Sequence, residues 1–358
     1  MKKLLAIALA LVMVFGLLAC GKAGNAGSDE LKVSVFWYDE ADIYLGSVRA
    51  ELNAELDKAG VKYDNQFAAK DQAKQLEQIR TAIAGGSNLL VVNVVTSGDP
   101  DVAQSIIDAA GDIPVVFFNR AIGTDGSDVT ALNENATACF IGTDAPEAGH
   151  MQGKMVGDYV LANYDAIDLN GDGVISYVMF KGQEGNLEAD ARTQYGVEDA
   201  DAALTAAGKP ALKFYDEANT SKYLLDQNGA WSEEQGYTHM QTLLSKYNED
   251  NNNMVELVIG NNDGMALGAV SALKDAGYNV EGARVIPVFG VDATDAAKAM
   301  IAANGMTGTI KQDAVGMANA VVQIAQNLVA GKATFENVVG DLEGTWRINI
   351  PYSPYTGE

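Results

Sequence analysis

From Leu31 onward the chain alternates between short apolar runs and stretches of helical period, and this alternation narrows the possible folds more than any other feature. A strand, a helix and a further strand in that order close as a right-handed βαβ unit, with parallel strands and helices on both faces. Leu31–Trp37 reads as the first strand. Residues 44–59 follow with Leu45, Val48, Leu52 and Leu56 at helical spacing, then a strand at 62–68 and a helix at 71–84. Leu89–Val95 is a β-branched strand, followed by a helix near 101–110 and strands at 113–119 and 138–143. These elements make one doubly wound α/β domain.

A second alternation begins with a helix at 145–163. Strands are expected at 176–181, 211–217, 255–260 and 285–291, with helices at 189–207, 233–247 and 265–276. The late helix 314–330 finds no sheet partner in this half and returns to the first. The expected architecture is therefore α/β, two doubly wound Rossmann-like lobes, one built from residues 31–142 and 316–349, the other from 143–315 and 350–358. The lobes are joined by several crossings, with hinges near 142–144, 312–317 and 349–353.

The first thirty residues read differently. Lys2 and Lys3 precede an apolar run, Leu4 to Ala19, too short to span a bilayer and suited to a signal peptide. It ends in Leu17, Leu18, Ala19 and Cys20, which resembles the lipobox of bacterial lipoproteins, so residues 1–19 are a leader, Cys20 the lipidated first residue, and 20–30 a flexible tether. Only Cys139 then remains, and the exported chain depends on its packed core rather than on a disulfide. A formal charge of −24 makes a nucleic-acid partner untenable and suits a soluble body outside the membrane.

Asp168, Asn170, Asp172, Gly173, Val174 and Ser176 stand at the spacing of the opening part of an EF-hand calcium loop, with glycine where the chain turns sharply. The position of the closing bidentate glutamate holds Met179, whose thioether is no ligand for a hard cation. Either the loop is only a turn, or a carboxylate from elsewhere completes the shell.

Polar residues recur just past the carboxyl ends of successive strands: Asp39 and Asp42, Asn93, Asn119 and Arg120, Asn261 to Asp263, and Asp292. Open α/β sheets bind ligands there, although Asp and Asn are also ordinary helix N-caps. Such side chains suit vicinal hydroxyls, and Tyr44 and Trp231, near predicted helix starts, could cover a pyranose face. The two histidines, His150 and His239, lie in helical stretches, and there is no HExxH, G-x-S-x-G, P-loop or G-x-G-x-x-G motif.

Five runs carry a family resemblance: Val115 to Asn119; Asp168 to Gly173; Ala191 to Thr193; Val258 to Asp263 with Met265 and Gly268 to Val270; and Val288 to Ala293. Together they resemble the bacterial galactose/glucose-binding proteins, over about residues 33–352. The resemblance implies a type I periplasmic binding fold with two lobes and three hinge crossings, a sugar in the cleft, an ABC permease as partner and a structural calcium in the C-terminal lobe. It implies that Glu256 closes the calcium shell with Asp168, Asn170, Asp172, the Val174 carbonyl and Ser176, where the family usually has glutamine. It places Asp42, Asn119, Arg192, Trp231, Asn262 and Asp292 on the sugar, with Tyr44 replacing a phenylalanine platform. Three positions depart: Asn186 for histidine, Glu188 for aspartate and Gln312 for asparagine. They keep polarity but change reach, which implies an altered hydroxyl preference.

The expectation is an extracytoplasmic, lipid-anchored monomer that takes up a hexose, performs no chemistry and passes the sugar to permease subunits, or to a chemoreceptor or sensor. An exported glycosidase using the cleft carboxylates is the rival from another class. A transcription regulator of similar lobes is disfavoured by the export signal, the acidity and the missing helix-turn-helix.

Overall fold

The computed structural model describes residues 30–123, 132 and 137–357, so the leader, Cys20 and the tether lie outside the described residues. Within the compact unit Lys32–Glu358 there are two sheets. The first carries strands β1 (Lys32–Trp37), β2 (Lys62–Phe67), β3 (Leu89–Val92), β4 (Val115–Phe118), β5 (Ala138–Gly142), β12 (Asp341–Glu343) and β13 (Arg347–Asn349) in the order β12-β13-β5-β4-β3-β1-β2. All neighbours are parallel except β12 and β13, which pair antiparallel. Central strands such as β3 and β4 are buried throughout, as parallel strands covered on both faces must be. The edge strand β2 instead carries Asp64, Asn65 and Gln66, polarity that protects an open edge.

The second sheet runs β14-β11-β10-β9-β6-β7, from β6 (Ser176–Lys181), β7 (Lys213–Phe214), β9 (Leu257–Gly260), β10 (Val288–Asp292), β11 (Gly308–Lys311) and β14 (Ser353–Tyr355). The two-residue β8 (Leu224–Leu225) continues the pairing along β6 where β7 leaves it. Val178, Phe180, Leu257, Ile259, Val288 and Phe289 form the heart of this lobe's core.

Nine helices among the described residues cover the sheets: α1 (Ile43–Lys58), α2 (Gln72–Ala84), α3 (Pro100–Ala110), α4 (Ala145–Ile167), α5 (Leu187–Ala206), α6 (Glu233–Leu244), α7 (Asp263–Asp275), α8 (Asp295–Ala302) and α9 (Ala314–Val329). α9 packs on α1 and β5, so it covers the first sheet although its preceding strand, β11, belongs to the second. The chain therefore passes between the sheets three times: between Gly142 and Ala145, between Lys311 and Ala314, and between Asn349 and Ser353. No described helix is long and apolar enough to cross a membrane.

Some expected elements are shorter. The strand expected at 211–217 survives only at Lys213–Phe214, because just Ser176 and Tyr177 offer it partners. The helix expected at 145–163 runs on to Ile167, with a non-helical break at Asn163. α8, β11 and the strands after α9 are new to the sequence reading; each is short and lacks a long apolar period.

Candidate functional site

The carboxyl ends of both sheets face one cavity. Its walls bring together all ten residues expected to touch sugar: Asp42, Tyr44, Asn119, Asn186, Glu188, Arg192, Trp231, Asn262, Asp292 and Gln312. Arg120 joins them as an eleventh.

Three of these side chains also act as helix N-caps, so the two readings of Asp and Asn at strand ends hold at once. Asp42 Oδ1 accepts the Leu45 amide of α1 at 2.9 Å, Asn186 the Ala189 amide of α5 at 3.0 Å, and Asn262 the Met265 amide of α7 at 3.0 Å. Each cap fixes one polar atom on a helix start. Asp42 Oδ2 in turn accepts from the Tyr38 hydroxyl at 2.8 Å, and Asn262 Nδ2 donates to the Trp231 carbonyl at 3.1 Å.

Three residues of the cavity wall carry backbone strain. Asn119 (φ 61°), Trp231 (φ 56°) and Asp292 (φ 126°) all hold positive φ, which costs a non-glycine residue about 1–3 kcal/mol. The Trp231 ring lies so close over Gly182 that a Cβ there would come within 2.1 Å of it, so only glycine admits the indole. The turn at Asp292 and Ala293 is held from below by Asp263. Its carboxylate is fully buried and accepts from Thr294 N at 2.7 Å, Thr294 Oγ1 at 3.1 Å and Thr309 Oγ1 at 2.6 Å.

Burial pushes the Asp263 carboxyl up to about 6, against the lowering effect of those hydrogen bonds. Burial likewise raises Asp292 well above the usual carboxylate range, opposed chiefly by Arg192. Burial also lowers the Arg120 guanidinium and raises the Tyr44 phenol.

The two arginines share an unusual feature. Arg192 Nη1 donates to Asn261 O, and Nη2 to Gln312 Oε1 and the Tyr352 hydroxyl, all at 3.0 Å. Arg120 Nη2 donates to Val95 O and, across the cleft, to Gln183 Oε1, both at 3.0 Å. In each, Nε is buried without a partner. Buried donors are seldom left so, which marks both as groups with hydrogen bonds to give.

Other polar residues at strand ends turn out to be structural. Asn93 ties Tyr38 N to Phe118 O and Asn119, Asn261 accepts from Gly182 N, and Asp39 pairs with Lys70. His150 pairs with Asp199 at 2.7 Å and stacks on Tyr195, while His239 meets the Leu225 carbonyl; neither lines the cavity.

The 168–176 loop turns through Gly171 and Gly173 at positive φ. Its side chains are engaged by its own amides: Asp168 Oδ2 accepts Gly173 N, Asn170 Oδ1 accepts Asp172 N, and Asp172 Oδ1 accepts Val174 N. Glu256, fully buried just ahead of β9, accepts from the amides of Leu169, Asn170 and Ser176. Ser176 Oγ donates to the Met254 carbonyl. Among the described residues no three His, Cys, Asp or Glu side chains converge as a metal cluster. The donors nonetheless fit a hard divalent cation by type, being oxygens throughout, and Asp168 Oδ1 is buried with no partner.

Comparison with known proteins settles the family. Residues 33–333 match the family described as periplasmic binding protein domain. The chain belongs to the periplasmic binding proteins. It is 32% identical over 338 residues to the D-galactose/methyl-galactoside binding periplasmic protein of Haemophilus influenzae, covering 94% of this chain and 92% of that one. A putative rhizopine-binding protein of Rhizobium meliloti is 28% identical over 291 residues, 81% of this chain and 82% of the relative. The fold matches an ABC transporter solute-binding protein of Clostridium phytofermentans with bound β-D-glucose at a TM-score of 0.68 and 20% identity, covering 91% and 94% of the two chains. A Bacillus halodurans solute-binding protein with myo-inositol gives 0.67 at 20% identity, covering 93% and 96%. As a periplasmic binding protein the chain has the type I fold, α/β with two parallel-sheet lobes, and its named relatives are solute-binding proteins rather than enzymes.

Proposed function

We propose that this protein is an extracytoplasmic solute-binding lipoprotein that holds a hexose between its lobes and delivers it to the permease of an ABC importer. The observation that carries the reading is a cavity walled by both lobes that gathers all ten expected residues, with N-caps from three helices and two buried arginines in its lining. A polyhydroxylated ring supplies acceptors for Arg120 and Arg192 and donors for Asp42, Glu188 and Asp292. Tyr44 and Trp231 offer aromatic faces to its C–H surfaces. Asp42, Glu188 and Asp292 set against two arginines suit a neutral ligand better than a charged one. The galactoside-binding relative agrees with this class.

No chemistry is assigned to the site, in keeping with its solute-binding relatives, and the ligand is expected to be returned unchanged. Asn186, Glu188 and Gln312 set the hydroxyl pattern, so Asn186→His, Glu188→Asp and Gln312→Asn together shift preference toward glucose and galactose. Calcium is proposed for the 168–176 loop, held by Asp168, Asn170, Asp172, Val174, Ser176 and Glu256; the unpartnered Asp168 Oδ1 supports it. When bound, the ion would clamp this loop to the start of β9. Cys20 is proposed as the lipid anchor of a monomer, with a chemoreceptor or sensor as a further partner.

A thermal-shift panel of monosaccharides, followed by chromatography of the recovered sugar, tests the reading. It predicts a concentration-dependent rise in melting midpoint with at least one hexose, recovered intact. A panel without any shift, or a sugar recovered as a product, contradicts it.

A further inference from the structure

Arg192 stands where the three inter-lobe crossings meet the cavity. Its Nη2 donates to Gln312, in the crossing between β11 and α9, and to Tyr352, in the crossing between β13 and β14. The Tyr352 hydroxyl donates onward to Thr143 Oγ1 at 3.0 Å, in the crossing between β5 and α4. Tyr352 does not line the cavity. Its ring is wedged among Ala148, Val291 and Ile310, on α4, β10 and β11, and its amide donates to Glu147. The phenol is thus fixed by packing, and its oxygen is a stationary acceptor for the guanidinium.

A planar guanidinium held at both Nη atoms has no remaining freedom, so these acceptors fix where Nε points. That Nε is the donor left without a partner.

We propose that Tyr352 is a positioning residue for sugar capture, its hydroxyl aiming Arg192 into the cavity and joining that guanidinium to all three crossings. The proposal rests on Arg192 touching the sugar, as argued above. Tyr352→Phe removes the oxygen and keeps the ring, so the melting midpoint without sugar stays near that of the parent protein. Calorimetry uses D-glucose or D-galactose, whichever gives the larger thermal shift. Affinity is expected to fall by roughly tenfold or more, the effect of losing a hydrogen bond to a charged group. In an Arg192→Lys background, measured at millimolar sugar, the same change should lose most of its effect, because its route runs through the guanidinium. Solution scattering should show a smaller sugar-induced compaction in Tyr352→Phe than in the parent. Thr143→Val, which leaves the Arg192 bond in place, should weaken binding less and provides the test if Tyr352→Phe does not fold.

Unchanged affinity in folded Tyr352→Phe overturns the proposal while leaving the sugar reading intact. So does an equal loss in the Arg192→Lys background, or unchanged affinity in Thr143→Val with Tyr352→Phe unfolded. Failure of every hexose to bind the parent protein removes the sugar reading first and this inference with it.

Discussion

The cavity and the 168–176 loop are both rich in carboxylates and amides, yet they draw them from different parts of the molecule. Around the cavity each cap binds a helix start with one atom, and two buried arginines retain a free donor apiece. In the loop the side chains are engaged by amides of the same segment, with Asp168 Oδ1 left buried and unpartnered, and Glu256 is locked by three more. The cavity draws walls from two lobes; the loop and Glu256 lie within one. The difference predicts exchange at the first site and permanence at the second. A ligand of the first should govern transport, and an ion in the second should govern stability.

The sharpest way to break this division is to remove Arg192. Arg192→Ala leaves Asp292 without the buried cation that opposes its desolvation and should cost about 3–5 kcal/mol of sugar affinity by calorimetry. Its response to chelator should match that of the parent. Next in size is the loop. Chelation, or Glu256→Gln, should lower the melting midpoint, with a loss of about 3 kcal/mol if the ion is present at a hundredfold excess over its dissociation constant. Sugar affinity well below the melting range should change little. Calorimetric affinities that collapse with chelation would erase the distinction between the two regions.

A third test uses the buried Asp263 beneath the cavity. Its folded value, about 6, lies above that of an unfolded carboxyl, about 3.9, so its contribution to stability is complete below the unfolded value and is lost as pH rises through 6. From pH 4 to 6.5 the parent should therefore lose stability relative to Asp263→Asn, by on the order of 2 kcal/mol, in parallel denaturant melts. Flat parallel curves would show that Asp263 keeps an ordinary carboxyl value in the fold. Comparable in size is the effect of Trp231→Ala, about 1–3 kcal/mol in sugar affinity with the fold retained.

How far the sequence could be read depended on scale. The βαβ alternation gave the central strands because runs such as Leu89 to Val92 and Val115 to Phe118 are buried on both faces and leave an apolar block. It did not give β11, whose four residues carry one large apolar side chain, nor the eight-residue α8. The discontinuous first sheet needed the three crossings, which no local pattern announces. The cavity residues came from the family resemblance, residue by residue, and the fold brings them round one space. Arg120 was visible as a polar residue at a strand end, but nothing local showed that its guanidinium crosses to Gln183. Tyr352 gave no signal, since its role depends on Arg192, 160 positions away in the chain. In the loop the ligand spacing was plain, while the turning of its oxygens onto their own amides could only come from coordinates.

The central claim is that the cavity captures a hexose through Arg192 and its neighbours. Calorimetric titration of the intact protein with D-glucose and D-galactose at neutral pH, beside Arg192→Ala, tests it most directly. The account predicts a saturable, one-to-one heat with at least one of the two sugars, lost in the variant at the same concentrations. No heat from either sugar, or an equal heat from the folded variant, would contradict it.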